Sequence, residues 1–263
     1  MMEVIRNEDL RLSVVLRDVG NAYANAIRKS ANEIPVLAVD TVTISRNDSV
    51  LFDEMLAHRI GLLPLTGEKN FTLPEDCSCK GKGCAKCTVT LVLKSNSGST
   101  SGKVKAGDLK SKTVSTLYPD MPLVFLQKEQ EIELSAEARL GKGKDHAKYV
   151  PGLVWIRAAP HIELPKDKSN CKSCAEACPR NVFQIEPKVE VKNLLNCDLC
   201  MACVEECDKH SNKEKIKVYG DKKDFIVEIE SWGQIKPKDI LVEACGALQS
   251  NIDEFLKDAS KIK

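Results

Sequence analysis

The sequence predicts an α+β fold whose two ends meet, with two cysteine-rich insertions between them. Three observations carry this. First, two amphipathic helices lie at opposite ends of the chain. Residues 18–34 place Val19, Ala22, Tyr23, Ala26, Ile27 and Ile34 on one stripe, with Asn21, Asn25, Arg28, Lys29 and Asn32 opposite. Residues 237–257 carry a matching stripe of Leu241, Ala244, Cys245, Leu248, Ile252, Phe255 and Leu256. Second, the middle of the chain alternates as strands do, most cleanly over 131–140, where Ile132, Leu134, Ala136, Ala138 and Leu140 point one way and charges the other. Third, eleven of the twelve cysteines fall in two groups with metal-ligand spacing.

Composition narrows the function. A formal net charge of +1 over 263 residues sets up no global field toward nucleic acid or membrane. Aromatics make up 5%, so few rings are available to stack on bases, and the core is aliphatic. No apolar run approaches ~20 residues, and Met-Met-Glu-Val-Ile-Arg lacks the core of a signal peptide. The expectation is a soluble intracellular protein, where cysteines serve as metal ligands rather than disulfides.

In chain order, residues 3–17 read as paired strands. Asp18 is placed to cap the first helix and Pro35 to end it. Residues 36–45 are β-rich, and Asn47-Asp48 marks a turn. Ser49 then caps a second helix reaching about Ile60, with Phe52, Met55, Leu56 and Ile60 as its stripe and Gly61 as its stop. Leu62-Leu63-Pro64-Leu65 leaves extended. Strands follow at 88–94, 123–126 and 131–140. A Ser/Gly tip at 95–102 and a solvated basic loop at 141–148 lie between strands. A strand around Trp155 is read as broken by Pro160, and a hairpin as crossing Gly220-Asp221, although Ile226 and Ile229 do not share one face. Pro237 suits the first turn of the closing helix. By periodicity alone both end helices read first as ordinary core. The functional reading is that they pack together and offer a joint apolar face to a partner, through Tyr23, Ala26, Ile27, Leu241, Leu248, Ile252 and Phe255.

The first cysteine group is Cys77-x-Cys79-x4-Cys84-x2-Cys87, with Gly81 and Gly83 allowing a tight turn. Four thiolates at this spacing suit a tetrahedral Zn2+, and with no open position the ion is structural, not catalytic. The second begins with Cys171-x2-Cys174-x3-Cys178-Pro179 and continues as Cys197-x2-Cys200-x2-Cys203-x3-Cys207. The later run has the bacterial ferredoxin spacing, with Asp208 where Pro usually follows. In such pairs the fourth cysteine of each run serves the other cluster. Cys178, Cys197, Cys200 and Cys203 then hold a 4Fe–4S cluster. Cys171, Cys174 and Cys207 are one ligand short, because the first position falls on Lys168. That leaves a 3Fe–4S cluster, a 4Fe–4S cluster completed by Asp167 or water, or no second cluster.

Several stretches together resemble the D family of archaeal RNA polymerase subunits, the counterpart of the N-terminal domain of the bacterial α subunit. They are residues 21–40, Leu56-Ala-His-Arg-Ile-Gly-Leu-Leu-Pro-Leu65, His146-Ala-Lys148 and Ser231-Trp-Gly-Gln-Ile-Lys-Pro237. The resemblance implies a discontinuous dimerisation domain (1–38 plus 213–263), an inserted α+β domain with the zinc loop (39–164) and a ferredoxin-like iron–sulfur domain (165–212). It implies a cytoplasmic, non-catalytic assembly subunit that pairs with the small α-like subunit L and then docks subunits N, P and B. The polymerase's catalytic Mg2+ belongs to the large subunits, and sequence-specific nucleic-acid contact by this chain is not expected. Arg59 and Leu62–Leu65 are a docking surface in this reading. The clusters act either as staples for assembly or as sensors of redox or iron status. The alternative is a ferredoxin-type electron-transfer protein.

Overall fold

The computed structural model describes residues 2–67, 70–96, 101–166, 171–209 and 215–262. Asp167, Lys168 and His210, along with residues 97–100 of the Ser/Gly tip and Glu214, lie outside the described residues. The chain forms two compact units. One holds Met1–Asn7, Leu12–Ala26 and Trp155–Glu228, and the other holds Glu8–Arg11, Ile27–Val154 and Ile229–Lys263.

The first unit is built on a sheet of β1 (Met2–Asn7), β2 (Arg11–Leu16), β13 (Lys217–Ser231) and β10 (Gly152–Glu163), in that order. β2 and β13 are the inner strands. Accordingly Leu12, Val14, Val15 and Leu16 are buried without alternation, as are Phe225, Ile226 and Val227. With both faces of β13 covered, Ile226 and Ile229 are both buried without sharing a face. The expected hairpin at Gly220-Asp221 is instead one continuous strand. The turn chemistry at Asp221 is local, since its carboxylate accepts the backbone N–H groups of Lys223 and Asp224. Pro160 likewise does not break β10, because β10 is an edge strand and proline's missing donor costs least there. Two short helices, α3 (Lys172–Glu176) and α4 (Ala202–Lys209), pack on each other, with the small pair β11 (Phe183–Gln184) and β12 (Glu190–Val191) beside them.

The second unit centres on β9 (Glu131–Gly141), paired on one side with β3 (Val36–Asn47) and on the other with β5 (Thr88–Asn96), all antiparallel. The predicted alternation of β9 holds: Ile132, Leu134, Ala136 and Ala138 are buried between exposed Glu133, Glu137 and Arg139. Helix α2 (Asp53–Gly61) lies on β3 and buries Leu56 and Ile60. It starts three residues later than Ser49 as its cap suggested. Ser49 and Asn47 instead build the preceding turn, and Phe52 and Met55 stay exposed. Short pairs β4 (Leu65–Gly67) with β7 (Val114–Thr116), and β6 (Gly102–Lys105) with β8 (Pro122–Leu126), close the core.

Helix α1 spans Asn21–Ser30 and ends in a 3-10 turn at Ala31–Glu33, after which Ile34 is extended ahead of Pro35. Asp18 does not cap it; its backbone N–H bonds the Asp224 carboxylate. Helix α5 (Pro237–Ala259) has Pro at its start and packs against the 31–33 turn. The Ser231-Trp-Gly-Gln run that precedes α5 is a clamp. The Gln234 side-chain amide donates to the carbonyls of Leu37 (3.0 Å) and Leu65 (2.9 Å), and the Tyr118 hydroxyl donates to the carbonyl of Trp232. Gly233 sits at φ +96°, and a Cβ there would lie 2.5 Å from Leu117, so glycine is required.

Candidate functional site

The loop before β5 folds into two tight turns. Lys80 N–H bonds the Cys77 carbonyl and Cys87 N–H that of Cys84, with Lys80, Gly81 and Gly83 all at positive φ. The turns bring the sulfurs of Cys77, Cys79, Cys84 and Cys87 within 4.8 Å of one another. Individual separations are 3.6 Å (Cys77–Cys84), 3.4 Å (Cys79–Cys87) and 3.8 Å (Cys84–Cys87). Four sulfurs ~2.3 Å from one tetrahedral ion stand about 3.8 Å apart, so the donor set fits a single metal ion. The Thr88 hydroxyl, the Cys84 backbone N–H and the neighbouring thiols draw the Cys87 thiol down to about 6 despite burial. The Cys77 thiol is pushed up to about 11: the Cys79 backbone favours its thiolate, but the Cys79, Cys84 and Cys87 thiols and burial outweigh that. Of these two thiols, Cys87 is the readier to give the thiolate that a metal ion requires. Removing one ligand by Cys87→Ser is expected to strip one ion per chain and open residues 72–88 to protease, checked by metal counting and limited proteolysis.

In the first unit Cys178, Cys197, Cys200 and Cys203 line one small pocket with Ile162, Phe183 and Val218. Leu199 and Met201, at φ +63° and +64°, wind the chain on either side of Cys200. Arg157 fastens this loop to the sheet by donating to the carbonyls of Cys197 and Leu195, both at 2.8 Å, while pairing with Glu228. Arg180 pairs with Asp198 at 2.7 Å, and the Asp198 carboxylate accepts the Cys200 N–H. Burial, then the neighbouring sulfurs of Cys178, Cys197 and Cys200, pushes the Cys203 thiol up to about 11. Burial foremost raises Cys197 too. Among the described residues only the 77–87 loop gathers three or more ligand atoms within 4.8 Å. No three sulfurs of the four-cysteine pocket therefore lie as close together as those of the 77–87 loop.

Cys171, Cys174 and Cys207 share one packed group with Ala175, Val189 and Ile216. The sulfurs of Cys174 on α3 and Cys207 on α4 lie side by side, with Cα atoms 5.3 Å apart.

The helix residues divide sharply. Ile27 and Leu241, expected on the partner face, are buried within this chain, as are Ile240 and Ala244. Ala26 and Leu248 are half-buried. Tyr23 (53%), Ile252 (49%), Phe255 (70%) and Leu256 (57%) are exposed. The stripe of α5 is thus core in its first two turns, half-buried at Leu248 and bare from Ile252 on. No described helix is long and apolar enough to cross a membrane.

Three sequence-distant stretches meet at Asp40. Its carboxylate accepts from Lys148 Nζ (2.9 Å) and the Tyr149 hydroxyl (2.9 Å) and pairs with Arg139 (2.8 Å). Burial alone would raise the Asp40 carboxyl. Hydrogen bonds from Lys148 and Tyr149, with the charges of Lys148 and Arg139, more than offset it and hold it below the usual carboxylate range. The 141–148 loop is therefore not a free basic loop, for Lys142 and Lys144 also pair with Glu33. A lowered native carboxyl stabilises above the unfolded value of about 3.9 and loses that effect as pH falls through the lower native one. Asp40→Asn is expected to cost about 2–3 kcal/mol at pH 7, with the gap to wild type closing only in strong acid, read from denaturant midpoints across pH. Asp40, Arg157 and the Arg180–Asp198 pair escaped the sequence reading, because no local spacing signals such long-range partners.

A family model described as the RNA polymerase Rpb3/RpoA insert domain matches residues 42–154. The chain is 36% identical to DNA-directed RNA polymerase subunit Rpo3 of Methanosphaera stadtmanae, over 97% of each chain. It is 39% identical to Rpo3 of Methanothermobacter thermautotrophicus over 94% of each. It is also 28% identical to DNA-directed RNA polymerase II subunit rpb3 of Dictyostelium discoideum, over 97% of this chain and 93% of that one.

Proposed function

This chain belongs to the Rpo3 family of DNA-directed RNA polymerase subunits, and on that premise we propose that it is the scaffold on which a polymerase assembles in the cytoplasm. It contributes no catalytic residues of its own. It pairs first with the small α-like subunit L, and the pair then receives subunits N, P and B. The observation that carries the reading is the bare apolar row Ile252, Phe255 and Leu256, continuous with the buried start of α5. A helix that anchors itself by one half and exposes the other needs a second polypeptide. Co-expression with the small subunit is expected to yield a one-to-one heterodimer. Failure of the intact pair to co-purify overturns the reading.

The domain division follows the same logic: 1–38 with 213–263 for dimerisation, 39–164 as an inserted α+β domain, and 165–212 as a ferredoxin-like insertion. The family match over 42–154 supports the second of these. The single-ion spacing at Cys77–Cys87 supports Zn2+ there, where it knits a loop with little core of its own. The shared pocket of Cys178, Cys197, Cys200 and Cys203 supports a 4Fe–4S cluster. Cys171, Cys174 and Cys207, one thiol short of a full set, are left for a second, labile cluster of the 3Fe–4S or 4Fe–4S type or for none. When bound, a cluster would supply one-electron chemistry. The chain's own residues hold it, exclude water from Cys203 and leave Cys200 at the surface. That exposure is the one observation favouring the second reading, ferredoxin-type electron transfer. Turnover of an artificial electron acceptor by the isolated chain would favour it over the scaffold.

A further inference from the structure

We propose that the groove between the outer edge of β5 and residues 110–113 receives an extended acidic segment of another protein, which adds to the sheet as a short strand. β5 is an edge strand: β9 lies on one side of it, and β3, on which α2 packs, lies beyond β9. The other side of β5 starts a second ladder and drops it. Val92 N–H donates to the Lys110 carbonyl and Lys110 N–H to the Val92 carbonyl, both at 2.8 Å. Those bonds show that the backbone groups of Val92 point away from β9. The β5–β9 register is unbroken, so antiparallel alternation turns the groups of Thr90 and Thr88 the same way. The Thr88 N–H is taken by the Cys84 carbonyl at 2.8 Å. Among the described residues no backbone group bonds the Thr90 N–H or carbonyl on that edge.

The groove at this edge has a volume of about 690 Å³ and is lined by β5, by residues 110–113 and by Phe71 and Ala85. Neither α2 nor α5 contributes to it, so it is separate from the surfaces that the scaffold reading uses. Thr90 and Val92 are exposed on it, and β-branched side chains pack well against a neighbouring strand. The charge of the lining selects the occupant. It includes Lys110 and Lys112, both exposed, and no acidic residue. Neither lysine has an ion-pair partner among the described residues. Lysines at a sheet edge oppose self-pairing, because a second copy of this chain would bring its own lysines to the same place. A polynucleotide asks for a row of cations along its phosphates and has no strand-like row of N–H and C=O groups to meet Thr90. An extended polypeptide with carboxylates toward Lys110 and Lys112 and apolar residues beside Val92 satisfies the backbone, the surface and the charge together.

The test titrates the full chain into a fluorescein-labelled peptide of about eight residues, alternating valine and glutamate, and reads fluorescence anisotropy. Saturable binding is expected. Lys110→Glu combined with Lys112→Glu should weaken it by about tenfold or more, as should lysine in place of the peptide's glutamates. Both lysines are exposed, so the unfolding midpoint of the double variant should not move. Strand pairing makes a demand that charge alone does not. Thr90→Pro removes the edge N–H while leaving the β9 ladder its bonds, and should also weaken binding by about tenfold. Should that variant unfold, the same peptide N-methylated on every residue keeps its charges and should still lose about tenfold. Absence of saturable binding overturns the proposal. So does undiminished binding of the lysine peptide or the N-methylated peptide. Tighter binding of a single-stranded oligonucleotide at the same groove, or self-association of the chain that the double lysine variant abolishes, overturns it in favour of those occupants.

Discussion

Ile252→Asp combined with Phe255→Asp abolishes capture of the small α-like subunit while leaving the isolated chain as stable as before. Both side chains are exposed in the chain alone, at 49% and 70%, so their replacement removes no internal packing. In a heterodimer both become buried. Losing two such side chains costs about 3–6 kcal/mol of apolar transfer, roughly 10²- to 10⁴-fold in affinity. Burying two carboxylates in their place raises the cost further. The measurement is co-purification from co-expressed subunits, with thermal unfolding of the single chain as control. Retained pairing would mean that the bare row of α5 is not the contact. The companion variant Leu241→Asp is expected to differ in kind: that residue is internal, so the chain itself destabilises, and lost pairing would then be secondary.

The second large effect concerns iron. Cys203→Ser is expected to remove the 4Fe–4S cluster, with loss of its visible absorption and a fall of about four irons per chain, because the cluster demands all four thiolates. Cys203 is buried and its thiol is pushed up to about 11, so without iron it remains a neutral group inside a small core. Residues 171–209 should then lose protection from hydrogen exchange, since metal-binding energy is folding energy in so small a unit. Pairing with the small subunit should persist, for α5 lies elsewhere in the sequence and carries none of the ligands. Entry of the large subunits decides the role. If it falls on cluster loss in any redox state, the cluster is a staple; if it falls only on oxidation of the wild type, the cluster is a sensor. An unchanged iron content would sink the ligand assignment. Raising acidity should release iron from the wild type as well, because each ligand must give up its proton to coordinate.

Much of this was legible from residue order. Alternation in 131–140 marked β9 because one of its faces is core and the other is not. Cysteine spacing marked the 77–87 group, whose four sulfurs do gather within 4.8 Å, since ligands on one turn must be near in sequence. What stayed hidden depends on neighbours that are distant along the chain. The inner position of β13 explains its unbroken run of buried residues and the false hairpin at Gly220. The edge position of β10 explains why Pro160 is harmless. Helix stripes showed which residues are apolar, but not which half of α5 finds a partner within its own chain. The first turns of α5 pack against residues 31–33, and there Leu241 is buried while Phe255 is bare.

The seat of α5 on the 31–33 turn has a bearing on quality control during synthesis. The turn emerges from the ribosome early, and Pro237 follows only after nearly all the intervening polypeptide. A product stalled or truncated before Pro237 has the cradle but not the helix that fills it. Such a fragment would lack the helix on which the proposed pairing rests. On that proposal, only translation products that have run through to the closing helix can find their mate.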